Sequence, residues 1–424
     1  MDIKTIRFEK INEIMHMYEH SSGLKAFVIP KKGYSKKYAT FATHYGSINN
    51  EFVVPGEKEA IRVPDGIAHF LEHKLFEQKD GSVMDKFSAL GSSPNAYTSF
   101  NQTVYLFSCT EKFDENFQLL LNYVQNPYIT DESVEKEKGI IGQEIQMYQD
   151  NPAWRVFFNL LDCLYVKHPV KIEIAGTIES ISKINKELLY DCYNTFYTPS
   201  NMAVVVVGDA DPDSIFSIVD EMIHFKDNGK VEKQYPDEPK EINMEYKEQK
   251  LAVSMPLFNM GVKDNARLTG FELLKRRIAL GIGLYHTMGR RSDLYSRLYE
   301  ERLINDSFQF DVSINKNYGY LSWGGQSPDP KKTAGIISEA INEVKSKGIG
   351  QEAFDRIKKS QEGMFIRSLN SVDNIAREIM DSYFNDTNFF DVGKAYSQVD
   401  IDYTNSVFRE VFENRTALAV INPL

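Results

Sequence analysis

The segment from Pro64 to Phe76, PDGIAHFLEHKLF, constrains this chain more than any other stretch. His69 and His73 stand four residues apart within an apolar run, a spacing that puts both on one face only if the segment is helical. Asp65 is suited to cap the start of that helix, and Asp80-Gly81 ends the pattern. On a helix the two imidazoles can close on one metal ion, with Glu72 projecting beside them. The pattern is H-x-x-E-H, the reverse of the commoner H-E-x-x-H, and both set a carboxylate next to two imidazoles. A pair of histidines capping a core helix is the alternative reading of the same residues, and the metal reading is favoured over it.

Catalytic zinc is usually held by three protein groups with one position open, so a third ligand is required. The run from Thr130 to Tyr148 reads as a helix, closed by Asn151-Pro152. Glu137 and Glu144 lie two turns apart on it and share a face. On spacing alone, a charged and solvated helix face explains this pair more simply than a metal does. Gly139 and Gly142 weaken the helix, a cost consistent with another helix backbone passing close on that side.

At 424 residues the chain suits two domains. The charge-rich, proline-containing stretch from Lys226 to Lys250 reads as a solvated linker. It suggests domains at 1–228 and 251–424 joined by 229–250. An amphipathic pattern followed by Asn and a buried-type strand occurs twice, at Asn201-Met202-Ala203-Val204 and at Asn414-Arg415-Thr416-Ala417. The two lie about half a chain apart, as a duplicated domain requires. Strands are expected at Tyr38–His44, Thr103–Cys109 and Phe308–Ile314, beside several long helical patterns, so each half is mixed α and β.

Other classes are disfavoured. A net charge of −11 argues against a nucleic-acid partner. No apolar run is long enough to span a membrane, and the start, MDIKTIRFE, lacks a secretion signal. Cys109, Cys163 and Cys192 form neither a disulfide framework nor a thiolate metal site. These features together suggest a cytoplasmic protein with reduced thiols. Neither G-x-G-x-x-G after a strand nor G-x-S-x-G is present, which disfavours a dinucleotide site and the usual serine hydrolase. The sequons at Asn101 and Asn414 are read as chance. His16, His20, His44, His168 and His224 are scattered and read as structural or surface groups.

HFLEH at 69–73 with E-x6-E at 137–144 resembles the signature of the inverzincin metallopeptidases, the family of pitrilysin, insulin-degrading enzyme and the mitochondrial processing peptidase. The likeness covers essentially the whole chain and is to the short, two-domain bacterial members. Asn95-Ala96-Tyr97-Thr98 also resembles the N-A-x-T of the family's active-site strand. The resemblance implies an α+β fold of two homologous domains, each a mostly antiparallel sheet packed with helices. It implies one zinc ion per chain held by His69, His73 and Glu144, with Glu72 as general base. Glu137 would orient a ligand histidine, and Asn95, Ala96, Tyr97 and Thr98 would line the edge strand that takes substrate backbone.

By the repeat, the counterpart of the zinc helix lies near residues 275–290, which hold His286 but no H-x-x-E-H. The family's second half often supplies an Arg and a Tyr in an R-x6-Y pattern. Here Arg297 and Arg302 are present, but Phe308 follows Arg302 where no Tyr appears. Carbonyl stabilisation by that Tyr is therefore in doubt, and the two arginines read more simply as surface or interface groups. The expected activity is zinc-dependent endopeptidase cleavage of short or unfolded peptides in an enclosed chamber. Family members of this size generally act as homodimers or pair with a paralogue lacking the metal motif. The alternatives are a non-catalytic scaffold and a peptide-binding subunit or chaperone, which would bind peptide without turnover.

Overall fold

The segment Met202–Gly208 reads MAVVVVG and is buried along its whole length, which requires a sheet covered on both faces. The computed structural model describes residues 2–8 and 12–424. In it this strand lies within a seven-stranded sheet. In chain order the strands of the first half are β1 (Ile3–Phe8), β2 (Glu13–Glu19), β3 (Lys25–Pro30) and β4 (Lys37–Thr43). Two small ribbons follow, β5 (Glu51–Val53) with β6 (Ala60–Arg62) and β7 (Glu77–Gln78) with β8 (Gly81–Ser82). The set closes with β9 (Ser93–Thr98), β10 (Thr103–Cys109) and β11 (Met202–Gly208). The large sheet runs in the order β1-β2-β3-β11-β4-β10-β9, so β9 is an edge strand among the described residues.

The second half contributes β12 (Tyr246–Leu251), β13 (Leu257–Lys263), β14 (Gln309–Ile314), β15 (Gly319–Gln326) and β16 (Thr416–Pro423). They form a sheet of order β12-β16-β13-β15-β14. Here β12 pairs parallel with β16, and every other pairing is antiparallel. The same directions hold for β3-β11-β4-β10-β9, where only β3 and β11 are parallel. Five strands therefore repeat one topology, and the two asparagines noted in the sequence precede equivalent strands. Asn201 accepts at its carbonyl from the His44 amide just past β4. Asn414 donates from Nδ2 to the Lys263 carbonyl at the end of β13, at 3.1 Å. Each asparagine ties its strand to the end of the neighbouring antiparallel one.

The chain divides into two compact units, neither continuous in sequence. The first comprises residues 1–145, 172–235 and 368–384, and the second 146–171, 236–367 and 385–424. Within the first unit, helix Val372–Phe384 packs on β11 and β4, burying Ile375, Ala376, Ile379 and Met380. Within the second, helix Pro152–Leu164 packs on β16, β13 and β12. Asn151 caps it by accepting from the Ala153 and Trp154 amides, and Pro152 fills the first turn where no N–H is needed. No helix among the described residues is long and apolar enough to cross a membrane. All three cysteines are free and buried.

Glu238 lies in the charge-rich stretch read as solvated, yet its side chain is 2% exposed and meets Lys263, 1% exposed, at 2.9 Å. The amides of Val166, Lys167 and His168 donate to the same carboxylate at 2.9, 2.7 and 2.7 Å. Burial pushes this carboxyl up, but Lys263 and the three amides outweigh it and hold it below the ordinary glutamate range. Burial draws the Lys263 ammonium down despite its partner. The carboxylate form is the one the surroundings require, because all four neighbours donate to it. Glu238→Ala is expected to cost about 3–5 kcal/mol in denaturant unfolding at neutral pH, since it strands a buried ammonium. A depressed folded-state pKa stabilises above the unfolded value, about 4.5, and loses that contribution as pH falls through the folded value. The stability gap between wild type and Glu238→Gln should therefore narrow below that pH, and a gap independent of pH would discount the ionised pair.

Candidate metal centre

Helix Ile67–Leu75 buries every residue except His73, which is half-buried. Its apolar members Phe70, Leu71 and Leu75 are fully buried. Asp65 does not cap it. Gly66 holds the N-cap position at φ 93° with no side-chain cap. A Cβ on Gly66 would stand 2.4 Å from the Ala175 carbonyl oxygen, so both the conformation and the space demand glycine. Asp65 instead accepts from Asn50 Nδ2 at 2.9 Å.

The carboxylates come from helix Asp131–Gln149. Thr130 and Ser133 open it by exchanging hydrogen bonds, each hydroxyl accepting from the other residue's amide at 3.1 Å. Asp131 and Glu132 in the first turn suit the helix dipole. More than three turns on, Glu144 meets both histidines: His69 Nε2 lies 3.6 Å from Oε1 and His73 Nε2 lies 3.5 Å from Oε2. One donor atom from each of the three residues falls within 4.8 Å of the others.

These separations suit a metal better than direct hydrogen bonds. They exceed the usual N–H···O range. In a tetrahedral zinc site with ligand bonds of about 2.0–2.2 Å, donor atoms stand about 3.3–3.6 Å apart. Burial and the neighbouring His73 push His69 down to about 4, so its imidazole is neutral and able to ligate at neutral pH. The donor set of two imidazoles and one carboxylate is one that zinc accepts.

Around these groups lies a buried polar shell. Glu137, 8% exposed, meets His73 Nδ1 at 3.1 Å through Oε1. Burial alone would raise Glu137, but the contact with His73 and the charge of Lys74 hold it below its ordinary value. Burial alone would lower His73, yet Glu137, Glu72 and Glu144 carry it above its ordinary value. Lys74 is fully buried; it donates to the Ser133 carbonyl at 3.3 Å and to Glu77, and lies 3.8 Å from Glu137 Oε2. Nδ1 of His69 is buried without a hydrogen-bond partner among the described residues.

Glu72, 7% exposed, accepts from Thr98 Oγ1 at 2.6 Å. Burial raises its carboxyl to about 7 against the opposing hydrogen bond. Thr98 belongs to β9, so the even-numbered side chains of that edge strand face Glu72 and the odd-numbered ones face away. Ala96 lies on the Glu72 face, whereas Asn95 and Tyr97 lie on the other. Asn95 Oδ1 accepts from the Ala96 amide at 2.9 Å.

The spacing of charges along the sequence did not single out Lys74 or the Thr98–Glu72 contact. A lysine inside an otherwise apolar helix was the available signal for the first, and strand alternation from Thr98 for the second. Gly139 and Gly142, expected to admit a neighbouring backbone, have no described atom within 4 Å of where a Cβ would sit. In the second unit, Arg297 pairs with Glu301 at 3.0 Å on the exposed face of helix Asp293–Glu300. Arg302 takes a left-handed turn at φ 55°, and Phe308 is buried in that unit's core.

Comparison with known proteins agrees with this architecture. Residues 58–178 match the family model described as Insulinase (Peptidase family M16), and residues 183–361 match the Peptidase M16 inactive domain. The uncharacterized zinc protease YmfH of Bacillus subtilis (strain 168) is 42% identical, over 99% of both chains. An M16-like peptidase from Alicyclobacillus acidocaldarius has a crystal structure that superposes with a TM-score of 0.93 at 34% identity, covering 100% of this chain and 99% of that one. A protease from Helicobacter pylori shares the fold at TM-score 0.81 and 20% identity, over 96% of this chain and 99% of that one. The chain belongs to peptidase family M16, the insulinase family.

Proposed function

We propose that this chain is a zinc-dependent endopeptidase acting on short or unfolded peptides. The observation that carries the reading is the convergence of His69, His73 and Glu144 beside a buried Glu72. His69, His73 and Glu144 would hold one zinc ion. A zinc ion in such a donor set supplies Lewis-acid chemistry, polarising a peptide carbonyl and acidifying water near neutral pH.

The rest is the work of the chain's own groups. Thr98 holds Glu72 Oε2, leaving Oε1 to accept a proton from water and return it to the leaving amine. Burial raises the proton affinity of Glu72 into the range where both transfers are feasible near neutral pH. Glu137 fixes the ring of His73 through Nδ1, and Lys74 braces Glu137 from behind. The free edge of β9 offers main-chain donors and acceptors to an extended peptide, a mode that needs unfolded backbone and tolerates varied sequence.

Zinc content separates the roles. Wild-type protein should carry about one zinc per chain by elemental analysis, and His69→Ala or Glu144→Ala should lose it. Glu72→Gln should keep the metal while cleavage of a quenched peptide mixture falls about 10²–10⁴-fold. Full cleavage by metal-loaded Glu72→Gln protein, with contaminating proteases excluded, would remove Glu72 from the mechanism. A scaffold or peptide-binding subunit would give tight peptide binding with no chelator-sensitive turnover.

Glu137→Gln tests the support around the ligands. Its expected effect is a 10–100-fold weaker zinc affinity, measured by competition with a chelator. Unchanged affinity would reduce Glu137 to a packing role.

A further inference from the structure

The face of the first sheet opposite Glu72 carries a second feature beside the same edge strand. There a cavity of about 390 Å³ opens between β4, β10, β9 and helix Val372–Phe384. Register places its walls: Tyr97 and Asn95 of β9 stand opposite Val104 and Leu106 of β10, and Leu106 stands opposite Thr40 of β4. Val104, Leu106 and Met380 make an apolar floor.

Four of the polar groups around that floor are donors without partners among the described residues. Thr40 is 3% exposed, and its Oγ1 has no hydrogen-bond partner among the described residues. Arg377, the one charged side chain lining the cavity, makes no ion pair among the described residues. The phenols of Tyr38 and Tyr97 also lack described hydrogen bonds. Burial raises Tyr97 to about 12, so it remains a phenol and a donor at neutral pH. Nearby acids do not satisfy this set: Asp373 is taken by Lys36 at 2.8 Å. Asp381 adds a negative charge near Tyr97, so the draw on an anion comes from Arg377 and the geometry of the donors beside it rather than from a net positive field.

We infer that this cavity is a specificity subsite for the carboxylate side chain of a bound peptide, a glutamate whose stem lies on Val104, Leu106 and Met380 while Arg377, Thr40, Tyr38 and Tyr97 donate to its oxygens. The inference rests on the peptidase reading in one respect, that β9 receives the peptide as an added strand. Such a peptide directs alternate side chains to the two faces of the sheet. Those level with Asn95 and Tyr97 fall on the cavity face, while their neighbours fall on the Glu72 face. Recognition of charge would thus act one residue away from the reacting bond's side of the sheet, without touching Glu72 or its histidines.

The test uses fluorescent, C-terminally amidated peptides binding to full-length Glu72→Gln protein, with a single Glu, Gln or Lys moved along an otherwise neutral sequence. At one position the Glu peptide is expected to bind about tenfold tighter than its Gln counterpart, as charge-assisted hydrogen bonds to Arg allow. Added Arg377→Ala should bring that ratio to about one, and added Arg377→Glu should favour Lys. Tyr97→Phe should lower the ratio without reversing it. A ratio near one at every position, a ratio that survives Arg377→Ala, or no measurable binding would overturn the subsite. A preference confined to free-acid peptides would assign the cavity to a chain terminus and overturn the side-chain form. An Arg377-dependent ratio alongside no cleavage by zinc-loaded wild-type protein would support the subsite and overturn the peptidase reading instead.

Discussion

Burial of charge on one nine-residue helix is the constraint around which the first unit is arranged. His69, Glu72 and Lys74 are all less than 9% exposed, and an unpaired ion in such a place costs several kcal/mol. The neighbours are accordingly polar and specific. Thr98 reaches across from the edge strand to Glu72, and Glu137 serves His73 and Lys74 at once. Glu72, Glu137 and Glu144 outnumber the single ammonium of Lys74, and the two imidazoles carry lone pairs toward the same point. With Glu77 also on Lys74, a divalent cation would offset most of that excess, whereas removing any one carboxylate would change the balance among the groups that remain.

The second unit treats buried charge differently at the corresponding place in its topology. Helix Gly270–Met288 lies between β13 and β14, as Ile67–Leu75 lies between β4 and β9. Its buried Arg276 donates to Asp264 at 2.7 and 2.8 Å and reaches Glu410 at 3.0 Å. Buried Asp264 neutralises the guanidinium and exposed Glu410 adds to it, and the two outweigh burial in keeping Arg276 charged. One duplicated architecture thus supports an internally closed ion pair in one copy and an open donor set in the other. Fold alone does not assign chemistry; the side chains presented at that helix do.

What could be read from the sequence follows the range of the interactions involved. The i, i+4 histidines are a local relation, fixed by helix geometry, and the helix forms where their spacing requires it. The strands at Thr103–Cys109 and Gln309–Ile314 follow from short-range pattern in the same way, a continuous buried run in the first and partial alternation in the second. Glu137 and Glu144 were not distinguishable from a solvated face by spacing, because Glu132 and Glu135 on the same helix are exposed while Glu137 is buried. Only the approach of another helix separates them. The cap differs from the Asp65 expected by sequence for a similar reason: Gly66 takes the N-cap position in the left-handed region, where the Ala175 carbonyl, far along the chain, leaves no room for a Cβ. The stretch around Glu238 looked solvated because its compensating donors, Lys263 and three amides at 166–168, come from remote segments.

The edge strand β9 connects these scales. Its alternation is a local property, yet its two faces look onto helices distant in sequence, Ile67–Leu75 packed on one side and Val372–Phe384 across the cavity on the other. Thr98 commits the even-numbered residues to Glu72, and that single contact then determines that Asn95 and Tyr97 face the opposite cavity. A one-residue slip of β9 against β10 would exchange the two sets, withdrawing the hydroxyl from Glu72 and turning a tyrosine toward the histidines. The pairing of Thr98 with Thr103 and of Tyr97 with Val104 holds that register. Buried Thr103 donates to the Tyr45 carbonyl at 2.8 Å, anchoring β10 in turn. Orientation of Glu72 is therefore a property of the sheet's register as much as of the helix that carries it.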